Sequence, residues 1–336
     1  MRTAPDRGCR YARPVSDRLE IGVTPWRDGG DGAANALAEQ AETAERLGFH
    51  SFWLPESHFT GQTSIPAPLL QLAAIASRTQ RLKIATTSYL LPIRNPIAVA
   101  EEVAVLDRLS QGRVILGVGR GFRKALFRVY DVPVAEKRDR FEAALEVMRT
   151  AWSGEPVAWE DEDDETSAPI RVSPLPVQKP HPPIWVAGFG PKAVAQVGRL
   201  GLPYLASPIE SMTRLEENYA RHRDAMSAAR RQEPIEVPIM RTVFISRDAV
   251  TLERVRDGLA AQASQLAKAP VASIRNASGS SVDDWAIVGS PDHVAEQIGL
   301  HRSKLGMTHL IARAQVPGAG PDAIEESLET LADLAL

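Results

Sequence analysis

From Leu19 onward, short apolar runs alternate with longer stretches in which apolar residues recur every three or four positions. Short continuous runs suit buried strands, and the longer period suits helices with one buried face. Strands are predicted at Leu19–Val23, Ser51–Leu54, Leu82–Thr87, Arg113–Val118, Ile184–Ala187, Leu202–Ala206, Val237–Ser246 and Thr308–Ala312. Leu37, Ala41, Ala44 and Leu47 mark a first helix that Gly48 ends. Further helices are predicted over about Pro68–Ser77, Pro96–Leu109, Glu136–Trp152, Pro191–Leu200, Met212–Arg230 and Ala249–Leu266. Ser290-Pro291-Asp292 caps another that runs to about Lys304, and a last one starts at Pro321.

Two stretches break the alternation. Val157–Trp159 and Pro169–Val172 read as short strands flanking the acidic run Glu160–Glu165, and residues 268–284, rich in Ala and Ser, fit neither period. The acidic run lacks the interleaved glycine and terminal bidentate glutamate of a calcium loop, so it reads as a solvated hairpin tip. Eight strands, each followed by a helix, predict an α/β fold: a (β/α)8 TIM barrel with insertions after strands four and seven. A doubly wound open sheet is the alternative, and the unbroken alternation favours the barrel. Residues 1–18 are expected to be a flexible tail and residues 19–336 the barrel domain.

The chain has 336 residues, and 39 Lys+Arg against 42 Asp+Glu give a formal net charge of −3. Nothing in that balance suits nucleic-acid binding, which needs clustered positive charge. Hydrophobic residues make up 44%, enough for a large core. The single cysteine, Cys9, precludes an internal disulfide framework or thiolate-cluster metal site. No apolar run approaches a membrane-spanning length of about 18 residues. A cytoplasmic protein without metal is therefore expected.

Barrel enzymes place their chemistry at the C-terminal ends of the strands. After strand two stands Pro55-Glu56-Ser57-His58-Phe59, with a carboxylate and an imidazole two residues apart. This pair suits acid–base work or a structural hydrogen bond equally well. After strand three, Thr87 and Ser88 are small polar residues against which a flat ligand could lie, or simply a strand end. After strand four, Gly117-Val118-Gly119-Arg120-Gly121 combines glycines that permit close approach with a guanidinium suited to phosphate. Arg138 opens the following helix and is a second candidate cation, or a plain surface charge. After strand five, Gly188 and Gly190 lead into a helix whose free N–H groups could receive an anion.

FHSFWLPESHFTG, LKIATTSYLLPIRNPIAVAEEVAVLDRLSQGRVILGVGRGF, PLPVQKPHPPIWVAGFGP and IVGSPDHVAEQI together resemble the bacterial-luciferase-like flavin oxidoreductases. The resemblance covers the chain from Leu19 to its end and implies a TIM barrel binding reduced FMN or, in some branches, coenzyme F420. Arg120 and Arg138 match the family's phosphate-binding arginines. Thr87 and Ser88 match a pair joined by a non-proline cis peptide beneath the flavin, and Glu56 matches a residue whose backbone lies beside it. The luciferase catalytic histidine falls on Ser57, and a second histidine is kept as His58, which leaves these two as the catalytic candidates. The family's Ser and Thr phosphate contacts after strand five fall on Gly190 and Ala193. The resemblance implies a homodimer.

Three functions follow as expectations. The first is a monooxygenase that takes reduced FMN from a separate flavin reductase and uses dioxygen to oxidise a small organic molecule. Residues 268–284 would be its candidate lid. The second is an F420-dependent hydride-transfer oxidoreductase. The third is a non-catalytic flavin-binding partner subunit, which the loss of histidine at Ser57 would suit.

Overall fold

The structure, a computed structural model, describes residues 18–27, 33–158, 169–232, 236–268, 275 and 281–334. Ten strands occur among them: β1 (Glu20–Val23), β2 (Ser51–Leu54), β3 (Lys83–Thr86), β4 (Tyr89–Leu90), β5 (Val114–Gly119), β6 (Ile184–Ala187), β7 (Tyr204–Leu205), β8 (Pro238–Ile245), β9 (Ala286–Gly289) and β10 (His309–Arg313). The helices are α1 (Ala33–Arg46), α2 (Pro68–Arg78), α3 (Pro96–Leu109), α4 (Lys124–Val129), α5 (Lys137–Ser153), α6 (Pro191–Leu200), α7 (Met212–Ala228), α8 (Ala249–Leu266), α9 (Pro291–Leu305) and α10 (Pro321–Asp333). None of the described helices is long and apolar enough to cross a membrane.

The strands pair in parallel in the order β7-β6-β5-β3-β2-β1-β10-β8. A parallel bridge from Ala206 to Ile239 joins β7 to β8 and closes the ring of eight. The predicted barrel is therefore the fold. Each of the eight predicted barrel strands falls on a ring member, and α8 has the predicted bounds.

Alternation along the strands separates two cores. Trp53, Ala85, Ile115, Trp185, Leu205, Met240 and Ile311 fill the barrel interior, with Trp53 and Trp185 stacked at 5.1 Å between ring centroids. Their neighbours Phe52, Leu54, Ile84, Val114, Leu116, Leu310 and Ala312 face the helices instead. Side-chain caps set helix starts: Asn95, Ser211, Asp248 and Ser290 each accept N–H groups from the first turns of α3, α7, α8 and α9.

Three elements depart from the sequence reading. β4 follows β3 after a break at Thr87–Ser88 and pairs with the end of β5. Helix α4 has six residues, too few for its periodicity to register. Strand β9 extends the sheet beside the outer half of β8, pairing Thr242–Ile245 with Ala286–Gly289. Its four apolar residues follow the Ala/Ser-rich segment and were hidden by it.

Of the segment 268–284, residues 281–284 are ordered rather than loose. Ser281 caps the 3-10 turn Val282–Asp284, and Asp284 returns a bond to the Ser281 N–H. Residues 269–274 and 276–280 lie outside the described residues, as do the acidic run 160–165 and the N-terminal residues 1–17. The insertion after β5 is anchored from α3, where the Asp107 carboxylate accepts both the backbone N–H and the side-chain amide of Gln178 at 2.9 and 2.7 Å. Its expected strand pair is reduced to one antiparallel bridge, Val157 to Ile170.

Candidate active site

The C-terminal ends of the barrel strands surround a cavity of about 850 Å³. Thr24 and Pro25 reach it from β1, Glu56–His58 from β2, Thr87 and Ser88 from β3, and Gly119 and Arg120 from β5. Ala187–Phe189, Ala206–Pro208, Met240 and Arg313 complete the ring from β6, β7, β8 and β10. Met240 also belongs to the interior core, so the barrel packing is the cavity floor.

At the third strand, the Thr87–Ser88 peptide is cis. The glycines of β5 fit against this segment. A Cβ on Gly117 would lie 1.9 Å from the Thr86 carbonyl oxygen, and one on Gly119 would lie 2.2 Å from Ser88 Oγ. Of the glycines expected to permit close approach, Gly119 and Gly121 line the cavity, and at Gly117 and Gly119 an added Cβ would also meet the adjoining strand and its terminus.

One end of the cavity is cationic. Arg120 and Lys137 both line it. Burial lowers the pKa of each, Arg138 depresses both further, and Arg120 also depresses Lys137. Glu142 opposes the shift at Arg120, but its contact is indirect. Arg120 Nη1 donates to Gln196 Oε1 at 2.7 Å, and the Gln196 amide donates in turn to Glu142. Lys137 Nζ donates to the Gly121 carbonyl at 3.3 Å. An anion here would relieve both the desolvation and the mutual repulsion.

A second network lies beneath the loop after β2. The Glu56 side chain is fully buried and its carboxylate accepts three hydrogen bonds. It accepts His58 Nε2–H at 2.6 Å, Arg94 Nη2–H at 2.9 Å and the Leu90 N–H at 2.8 Å. The Arg94 guanidinium stacks 3.9 Å above the Tyr89 ring, and burial drives the Tyr89 hydroxyl upward in pKa. On the far side of His58, Nδ1 lies 3.2 Å from the Tyr130 hydroxyl. With Nε2–H committed to a carboxylate, Nδ1 is the acceptor of the Tyr130 O–H. Arg94, Glu56, His58 and Tyr130 thus form one continuous chain. Ser57 Oγ accepts the Ile65 N–H at 2.9 Å while the residue lines the cavity.

Glu56, Ser57, His58, Thr87, Ser88, Arg120 and Gly188 all line the cavity, as their strand-end positions predict. Arg138 and Gly190 do not. Arg138 is exposed on the first turn of α5, and the residue before it, Lys137, turns inward in its place. Gly190 sits behind the lining as the N-cap of α6, with φ at 78°. The Glu56 side chain itself is held by the loop network, bonded to Leu90, Arg94 and His58. The sequence reading missed Lys137, Arg94, Tyr130 and Arg313. Lys137 lay beside Arg138 and Arg313 directly follows the last predicted strand, whereas nothing local marked Arg94 or Tyr130.

The luciferase-like monooxygenase family model matches residues 20–309. The chain belongs to that family. Among its relatives, limonene 1,2-monooxygenase of Rhodococcus erythropolis is 30% identical over 208 residues, which are 60% of this chain and 54% of that protein. The oxygenase component of flavin-dependent trigonelline monooxygenase of Acinetobacter baylyi is 29% identical over 160 residues, 47% of this chain and 44% of that protein. The chain spans about half the length of such relatives. Monooxygenase RslO1 of Streptomyces bottropensis superposes with a TM-score of 0.76 at 26% identity, covering 94% of this chain and 98% of that one. Two more distant structures share the fold. They are the FMN-bound oxygenating constituent of 3,6-diketocamphane monooxygenase from Pseudomonas putida (TM-score 0.77, 21% identity, 94% and 97% covered) and the coenzyme F420-dependent tetrahydromethanopterin reductase of Methanopyrus kandleri (0.71, 20%, 94% and 97%).

Proposed function

We propose that this member of the flavin-dependent family is the oxygenase of a two-component system, receiving reduced FMN from a separate flavin reductase. The observation that carries the reading is the desolvated pair Arg120 and Lys137 at one end of the cavity, with Arg138 behind them. That donor set suits a phosphate dianion at the end of a long ligand, since guanidinium and ammonium groups form short charge-assisted bonds to phosphate oxygens. Family membership supports the same cofactor class, and the trigonelline relative, named as an oxygenase component, supports a reductase partner.

Reduced FMN, when bound, supplies the electrons and the reactivity toward dioxygen. The chain's own residues do the rest. Arg120 and Lys137 bind the phosphate. Gly188 and the Thr87–Ser88 segment present backbone to the ring. The barrel floor of Met240 and Leu205 keeps that region apolar, which excludes water from the reacting centre. Glu56 and Arg94 orient His58, whose Nδ1 accepts the hydrogen bond of the Tyr130 hydroxyl. Ser57 offers its hydroxyl to the cavity from the position beside His58.

Anaerobic titration of the purified protein with reduced FMN and reduced coenzyme F420 tests the proposal. Binding of reduced FMN, followed by oxidation of an added substrate with one oxygen atom from labelled dioxygen, is expected. Binding of F420 alone would make the chain a hydride-transfer oxidoreductase, and FMN binding without turnover of any substrate would leave the partner-subunit reading.

A further inference from the structure

Across the cavity from the Arg120 end lies another guanidinium. In the ring β1-β2-β3-β5-β6-β7-β8-β10, β5 is fourth and β10 eighth, so Arg120 and Arg313 stand half a turn apart. Along β10, Ile311 points into the barrel while Leu310 and Ala312 face the helices. Strand alternation therefore carries Arg313 up the interior column to the mouth, where it lines the cavity.

Arg313 differs from the other cations of that wall. Arg27 lines the cavity too, but it is paired with Glu325. Among the described residues, Arg313 has a single hydrogen bond, from Nη2 to the neutral Gln262 amide oxygen at 3.3 Å, and its Nε is buried without a partner. Burial is the one influence on its pKa among the described residues, and none of their carboxylates acts on it. A desolvated cation with an orphaned donor is costly unless something satisfies it. Nε and a neighbouring Nη form the fork that matches a carboxylate in two parallel bonds.

We propose that Arg313 is the specificity-determining anchor for a carboxylate on the substrate, making the preferred substrate a small organic acid held at the end of the cavity opposite the flavin phosphate. This rests on the flavin reading above, because that reading assigns the Arg120 end to the cofactor and leaves the Arg313 end to the substrate. An amide of the same shape would place an NH2 group against the guanidinium and lose one bond of the fork.

The test uses the FMN-loaded protein and matched probes: benzoate with benzamide, and hexanoate with hexanamide, followed by calorimetry. FMN binding is measured first in the same preparation. In the wild type, at least one carboxylate is expected to bind ten-fold or more tightly than its amide. Arg313→Met should remove that preference while leaving FMN and amide affinities within about three-fold, and Arg313→Lys should retain part of it. If FMN binds but no carboxylate is preferred, or the preference survives in Arg313→Met, the inference fails and the flavin reading stands. If FMN itself does not bind, the flavin reading fails first. Loss of FMN affinity in Arg313→Met would reassign the residue to the cofactor and likewise overturn the inference.

Discussion

Gly117 is held by a backbone, since the nearest neighbour of a Cβ there would be the Thr86 carbonyl oxygen. Thr86 cannot retreat, because its hydroxyl donates to the Gly117 carbonyl at 2.8 Å and its strand pairs on both sides. Gly117→Ala is therefore expected to cost about 3 kcal/mol or more through overpacking, read as a lowered thermal midpoint. Unchanged stability would show that β5 and β3 can separate. At this scale the sequence was informative wherever function depends on residues in one contiguous run. Thr87, Ser88, Arg120 and the Glu56–His58 triplet all follow strands whose apolar pattern is plain. Arg94 was not legible as a site residue, because its role exists only through Glu56, a residue 38 positions away.

The segment after β7 shows how an element is positioned from outside the cavity. Glu210 is buried, and its carboxylate accepts the Ser207 N–H at 2.8 Å, the Tyr204 hydroxyl at 2.8 Å and the Asn218 amide at 2.6 Å. Burial raises its pKa, while nearby Arg241 opposes that shift. Arg241 is fully buried in β8 and donates to the Ser207 carbonyl and to His301 Nε2. Ser207 and Pro208, which line the cavity, are thereby fixed by a polar network between the barrel and α7 and α9. Removing the carboxylate leaves a buried cation uncompensated, which costs about 3–5 kcal/mol. Glu210→Ala is expected to lose stability on that order in urea unfolding, and a loss below about 1 kcal/mol would mean that water replaces the carboxylate. The sequence showed the strand and the helix here but not the network, since Glu210 and Arg241 resemble any other loop acid and strand cation until the register brings them together. Helix α4 was missed because six residues are too few for periodicity, and β9 because it follows directly on the Ala/Ser-rich segment.

Across the whole molecule, buried imidazoles set the response to acid. Burial, helped by Arg241, pushes His301 down to about 4, and burial with His50 nearby pushes His309 down to about 4. His301 is fixed as neutral by geometry as well, since its Nε2 accepts the Arg241 Nε–H at 3.0 Å. Between the ordinary value of 6.5 and about 4, the folded chain binds fewer protons than the unfolded one. The stability these groups contribute is thus complete above pH 6.5 and is lost as the pH falls toward 4. The thermal midpoint should drop across that window, and His309→Gln should flatten the drop; an unchanged slope in the variant would remove His309 from the explanation.

The central claim is that the cavity binds a phosphorylated flavin through its Arg120 end, and equilibrium titration with FMN and riboflavin tests it directly. The wild-type protein should bind FMN at least 100-fold more tightly than riboflavin, which has no phosphate. Arg120→Ala should remove most of that difference by weakening FMN alone, consistent with about 1.5–3 kcal/mol for a charge-assisted bond. Equal affinity for the two flavins in the wild type, or equal losses for both in the variant, would contradict the account.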